Sequence, residues 1–105
     1  MKVAAVQLTS TGNITENQEL ALAKIREAAG NGARLIVLPE ATAQNFHSGR
    51  LDEQAQTLEG PFATAIQALA EELEVTVVAG MFCPADTVER DGKTINRVTN
   101  TALIA

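Results

Sequence analysis

The stretch "ARLIVLPE", residues 33–40, carries four consecutive apolar residues, Leu35 to Leu38, followed by a proline and a carboxylate. A short unbroken apolar run bounded by turn formers suits a strand covered on both faces, as strands of parallel sheets are. Upstream, "VAAVQL", residues 3–8, is a second such run and ends at the turn-forming "TSTGN". Between the two, Ala21, Leu22, Ile25, Ala28 and Ala29 recur at the spacing of one helical face. Asn13 or Thr15 is the candidate cap of that helix, and "GNG" at 30–32 its stop. Strand, helix and strand in this order predict a βαβ unit with parallel strands.

Downstream of Glu40, residues 41–60 show no period and predict a loop with at most a short helical turn. Long ordered loops in compact domains often belong to functional sites. Pro61 suits the first turn of a second helix, whose apolar face is Phe62, Ile66, Leu69, Ala70 and Leu73. "VTVVAGMF", 75–82, predicts a third buried strand. The Asp-Gly pair in "ERDGKT" then predicts a hairpin turn into a fourth strand, "RVTNTALIA", 97–105. The expectation is one α/β domain over 1–105, in the order strand-helix-strand-helix-strand-strand. Because the fourth strand is apolar up to Ala105, the sequence reads as the first part of a longer domain.

Composition narrows the function. The 105 residues are 46% hydrophobic and 20% charged, the balance of a protein that folds around a core. A formal charge of -5 with no cluster of Lys or Arg argues against a nucleic-acid partner. No apolar run approaches the roughly 20 residues of a membrane span, and "MKVAAVQLTS" turns polar too early for a signal peptide. A single cysteine, Cys83, excludes an internal disulfide and fits a reducing, cytoplasmic setting. The residues present no metal-ligand cluster and ask for no cofactor.

Glu40 is the residue that stands out. In parallel α/β sheets, ligands bind beyond the carboxyl ends of the strands, where loops converge. Pro39 has a fixed φ and no N–H, so the backbone leaves the strand stiffly there and mounts the carboxylate rigidly. Partly buried beside apolar neighbours, such a group suits a general base. Equally, a carboxylate at a strand end can be a solvated charge or a cap.

Four segments together, "KVAAVQL" (2–8), "EAAGNGARLIVLPE" (27–40), "LEGPFATAIQALAEELEVTVVAGMF" (58–82) and "NRVTNTALIA" (96–105), resemble the nitrilase superfamily of carbon-nitrogen hydrolases. The most specific piece is the apolar strand leading into Leu38, Pro39 and Glu40. The resemblance implies the N-terminal part of an α-β-β-α sandwich, and for Glu40 the role of general base in a Glu-Lys-Cys triad. That triad hydrolyses small-molecule amides or nitriles through a thioester. The lysine and cysteine of the pattern have no counterpart in these residues, so this segment by itself is expected to be inactive. It is expected to associate with itself or with a missing C-terminal half.

Gln44, Asn45 and Phe46 follow Glu40 closely and are candidate substrate-binding residues, amides and aromatics being suited to small polar amides. Cys83 lies in "MFCPAD", unlike the family's nucleophile segment, and reads as a small buried hydrophobe. Lys93 reads as a turn charge and His47 as an exposed loop residue. Asn100, where the family tends to carry asparagine, is expected to satisfy backbone groups. The rival class is a non-enzymatic flavodoxin-like or receiver-like binding domain. Against it, "QLTSTGN" after the first strand offers neither a magnesium-binding acidic pair nor a strong phosphate loop.

Overall fold

Asn13 acts as the cap that its position predicts: its Oδ1 accepts the backbone N–H of Glu16 at 3.0 Å and opens α1 (Ile14–Gly30). Thr15 lies inside the first turn. In this computed structural model, which describes residues 1–45 and 49–105, the helix runs through Gly30; Asn31 caps it and Gly32 takes the positive φ of 92°. The second helix, α2 (Pro61–Leu73), starts on its proline and buries Phe62, Ala63, Ile66, Leu69 and Ala70.

The strands are β1 (Val3–Ala5), β2 (Leu35–Val37), β3 (Thr76–Arg90) and β4 (Lys93–Ile104), hydrogen-bonded in the order β1-β2-β3-β4. The first three run parallel and β4 runs antiparallel to β3. The two N-terminal strands are shorter than the apolar runs that encode them. In β2 the cause is Pro39, which cannot donate to the ladder, followed by a turn at Glu40. The hairpin strands are longer than predicted. Asp91 and Gly92 both adopt positive φ, 51° and 73°, in the two-residue turn that pairs Arg90 with Lys93. Pro84, which lacks the N–H that a regular ladder uses, is absorbed where the register shifts between Pro84 and Thr87.

Each βαβ crossover steps one strand in the same direction. Right-handed connections of that kind place both helices on one side of the sheet. That side holds the core: Ile36, Val77, Ala79, Met81 and Leu103 pack with Ile25 of α1 and Phe62 and Ile66 of α2, each 4% exposed or less. Burial of one such large apolar group contributes about 1.5–3 kcal/mol.

Strand alternation sends the intervening residues to the opposite face. There the register aligns Ala5, Val37, Val78 and Ile104, then Gly80 with Ala102, then Phe82 with Asn100. No helix among the described residues covers this face, and Val37 and Ile104 are 37% and 71% exposed. Doubly wound flavodoxin-like and receiver-like domains keep helices on both faces and their first strand inside the sheet. Here β1 is an edge strand and both helices share a face, so that alternative is set aside. Among the described residues no helix is long and apolar enough to cross a membrane.

Candidate active site

Beyond β2 the backbone stays paired with β3 for two more residues: Leu38 N donates to Val78 O at 2.8 Å, and Pro39 O accepts from Gly80 N at 3.2 Å. It rejoins at Ala43, whose N–H reaches Gly80 O at 3.1 Å. Between those points Glu40 to Thr42 rise over the open face as a turn, closed by Thr42 Oγ1 donating to Pro39 O at 2.5 Å. Gly80 makes this possible. A Cβ there would overlap the carbonyl carbon and oxygen of Glu40 and stand 2.7 Å from its Cα. Sequence reasoning passed over Gly80, although an isolated glycine inside a strand pattern is the usual mark of a close backbone approach.

A second support comes from α1. Asn17 is completely buried; its Oδ1 accepts Thr11 N at 2.7 Å, while its Nδ2 donates to Thr11 O at 2.9 Å and Ala43 O at 2.8 Å. One amide group thus ties the loop after β1 to the loop after β2, and Asn45 N adds a bond to Thr11 O at 3.0 Å. Asn17 also escaped the sequence reading. Its signal is position, a polar residue one turn before Ala21 on the buried stripe of the helix.

The carboxylate of Glu40 meets Asn100, whose Nδ2 donates to Glu40 Oε1. Both lie on a cleft of about 340 Å³ floored by Leu38, Val78, Gly80 and Ala102. With Thr101 also in the lining, the acid and the amide stand over a mostly apolar floor, a seat suited to a small polar molecule. Two expectations are corrected here. Glu40 is exposed rather than partly buried, and Asn100 serves a carboxylate rather than the backbone. A larger groove, about 480 Å³ beside Lys2, Lys24, Glu27 and Asn31, shares no residue with this cleft. Its charges are already used locally, Lys2 on Asn31 O and Lys24 on Glu27.

Gln44 is buried and its Nε2 donates to Arg50 O at 3.2 Å; Asn45 is half-buried and its Nδ2 donates to Ser10 O at 3.3 Å. These bonds hold the loop, and neither residue lines the cleft. Phe46 and His47 lie outside the described residues. Cys83 packs against the helix-covered core, away from the face that carries Glu40. Lys93 is exposed beside the hairpin turn.

The loop before α2 is organised by polar groups that carry no periodic signal. Gln54 accepts Ile14 N at 2.8 Å and donates to Gly12 O at 2.5 Å, while Gln56 accepts Phe62 N at 2.8 Å at the start of α2. Asp52 links this loop to the hairpin. The hydrogen bonds of Arg50, reinforced by Asn96, hold its carboxyl below the usual carboxylate range. At the hairpin, Arg97 does the same to Asp86. Among the described residues no group of three His, Cys, Asp or Glu could hold a metal ion.

With this geometry in place, similarity to known proteins is specific. The family description "Carbon-nitrogen hydrolase" matches residues 2–104. The chain therefore belongs to the carbon-nitrogen hydrolase family. It is 37% identical over all 105 residues to a hydrolase of Mycobacterium tuberculosis, of which it covers 34%. It is 35% identical over 96 residues to the deaminated glutathione amidase of a Synechocystis species, an alignment that spans 91% of the present protein and 35% of that amidase. In fold it superposes on an amidase from Nesterenkonia sp. with a TM-score of 0.66 at 17% identity, over 97% of its own length and 37% of the amidase. The sheet with helices on one face is thus the N-terminal part of the family's sandwich, and the protein spans about a third of the length of these relatives.

Proposed function

We propose that Glu40 is the general base of a hydrolase for non-peptide carbon-nitrogen bonds, amide or nitrile. The lysine and cysteine of the triad are then supplied by the part of the family's length that these 105 residues do not span. The observation that supports this reading is the mounting of Glu40: a carboxylate at the C-terminal end of a parallel strand, bound to Asn100 above an apolar cleft. On an amide, Glu40 takes the thiol proton and the thiolate attacks the carbonyl carbon. As the carbon-nitrogen bond breaks, the proton passes to the departing nitrogen, leaving a thioester and releasing ammonia or an amine. Water then attacks the thioester while Glu40 takes its proton; the carbon-sulfur bond breaks, the acid leaves and the thiol is restored. The lysine stabilises the oxyanion at each tetrahedral stage.

The relatives frame the substrate class. A deaminated glutathione amidase, a citrullinase and an omega-amidase share 29–35% identity with the present protein, and each name denotes hydrolysis of a carbon-nitrogen bond in a small molecule. We assign the same class here; Gln44 and Asn45 serve it by holding the loop that follows Glu40 rather than by lining the cleft. We further assign action in the cytoplasm, as an oligomer or joined to the remaining two-thirds of the sandwich. The test is Glu40→Gln in the hydrolase polypeptide that includes this segment. Ammonia release from small amides falls by about 10²- to 10⁴-fold with the fold unchanged by circular dichroism. Turnover at the level of the parent protein would refute the assignment.

A further inference from the structure

We infer that Asn100 is a positioning residue for the base: its terminal amide holds one oxygen of the Glu40 carboxylate so that the other is presented for proton transfer. The inference rests on the reading of Glu40 as a general base and adds a residue to its machinery. It starts from the row of residues that β4 sends to the open face. Ala102 and Ile104 in that row have no hydrogen-bonding group beyond the backbone, and Asn100 does. An ionised carboxylate only accepts hydrogen bonds, so its partner must be a donor, and the Nδ2 of Asn100 supplies one to Glu40 Oε1.

The choice of a neutral donor matters. A lysine or arginine at this place would pair ionically with Glu40 and favour its charged form, blunting its demand for a proton. An amide fixes geometry without contributing a full charge. One oxygen is then occupied and the second remains for the thiol or for water.

Glu40 needs such a tether. Its residue is exposed, so packing alone does not select a rotamer. Its backbone is seated over Gly80 on β3, and its carboxylate is held from β4 by a residue 60 positions away in sequence. The register places Gly80 opposite Ala102 and Phe82 opposite Asn100, so both supports are neighbouring pairs of a single antiparallel ladder. Slipping β4 by one residue would turn Asn100 to the helix-covered face and release the carboxylate. The hairpin that looks remote from the site is, on this reading, its alignment device.

The test compares Asn100→Ala and Asn100→Asp in the hydrolase polypeptide that includes this segment, with Glu40→Gln alongside. Asn100→Asp preserves size and shape while replacing the donor with a charged acceptor, and Asn100→Ala removes the donor without adding charge, so neither lost packing nor added charge alone accounts for a fall in both. The expected result is a fall in kcat of about 10- to 100-fold in both variants, with KM nearly unchanged. Parent-level kcat in both, with Glu40→Gln inactive, overturns the positioning role and leaves the base in place; a loss confined to KM also overturns it. Turnover by Glu40→Gln would instead overturn the reading of Glu40 itself. Should neither Asn100 variant fold, the Nδ2 amide resonance of Asn100 in the 105-residue protein decides: it moves on Glu40→Ala if the tether exists, and an unmoved resonance overturns the proposal.

Discussion

The two faces of the sheet are built from the same alternating strands and do different things. One face is sealed by two helices, and its residues, Ile36, Val77, Ala79, Met81 and Leu103, are almost fully removed from water. The other, which no helix covers among the described residues, leaves Val37 and Ile104 in contact with solvent and carries Glu40 and Asn100. Adjacent residues in one strand, Ala79 and Gly80, therefore answer to different constraints: Ala79 fills the core, and Gly80 must be small because the backbone of Glu40 lies on it. The lesson is that a mixed sheet can separate stability from chemistry by the alternation of its residues.

That contrast can be broken experimentally. The largest effect on stability is expected on the sealed face, where Phe62→Ala leaves a cavity at a completely buried site and costs about 3–5 kcal/mol in denaturant unfolding. A loss below about 1 kcal/mol would mean that the helices do not seal that face. Gly80→Ala comes next, with about 1–3 kcal/mol lost because the new methyl must displace the Glu40 turn. Its more telling readout is activity in the hydrolase, which should fall by about 10²-fold or more as the base is lifted from its seat. Normal activity with lowered stability would show that the turn can move without moving the carboxylate.

On the open face, Ile104→Thr should change stability by no more than about 0.5 kcal/mol, since Ile104 is largely in water already. A cost comparable to that of Phe62→Ala, measured on the 105-residue protein, would show that this face is buried in solution. The smallest effect concerns the exposed Asp86–Arg97 pair on the hairpin. Arg97 lowers the titration range of Asp86, so the pair's contribution is present above the ordinary carboxylate range and is lost as pH falls through the depressed value. Both partners are more than half exposed, so only a slight difference in melting temperature between the parent and Asp86→Asn is expected at neutral pH. It should vanish in strong acid; persistence there would assign it to something other than the ion pair.

Much of this fold is legible from local patterns. The stripes Ala21, Leu22, Ile25, Ala28, Ala29 and Phe62, Ile66, Leu69, Ala70, Leu73 predict both helices, because burial on one helical face leaves a period that a short window can detect. The cap at Asn13, the proline opening α2 and the Asp-Gly turn are each readable from a few neighbouring residues. Strand ends are less legible, since they depend on pairing with a partner, as the shortened β2 and the lengthened hairpin demonstrate.

Short-range periodicity and turn chemistry are enough to specify the order of the elements and the place of Glu40 at the end of a strand, and the segments around them carry the family resemblance. Long-range packing settles that both helices share a face, that Asn17 clamps two loops, that Gly80 lies beneath Glu40 and that Asn100 reaches its carboxylate. Those facts join residues 26 to 60 positions apart. They follow from strand order and register, which the whole molecule settles at once when it selects which apolar surfaces to bury.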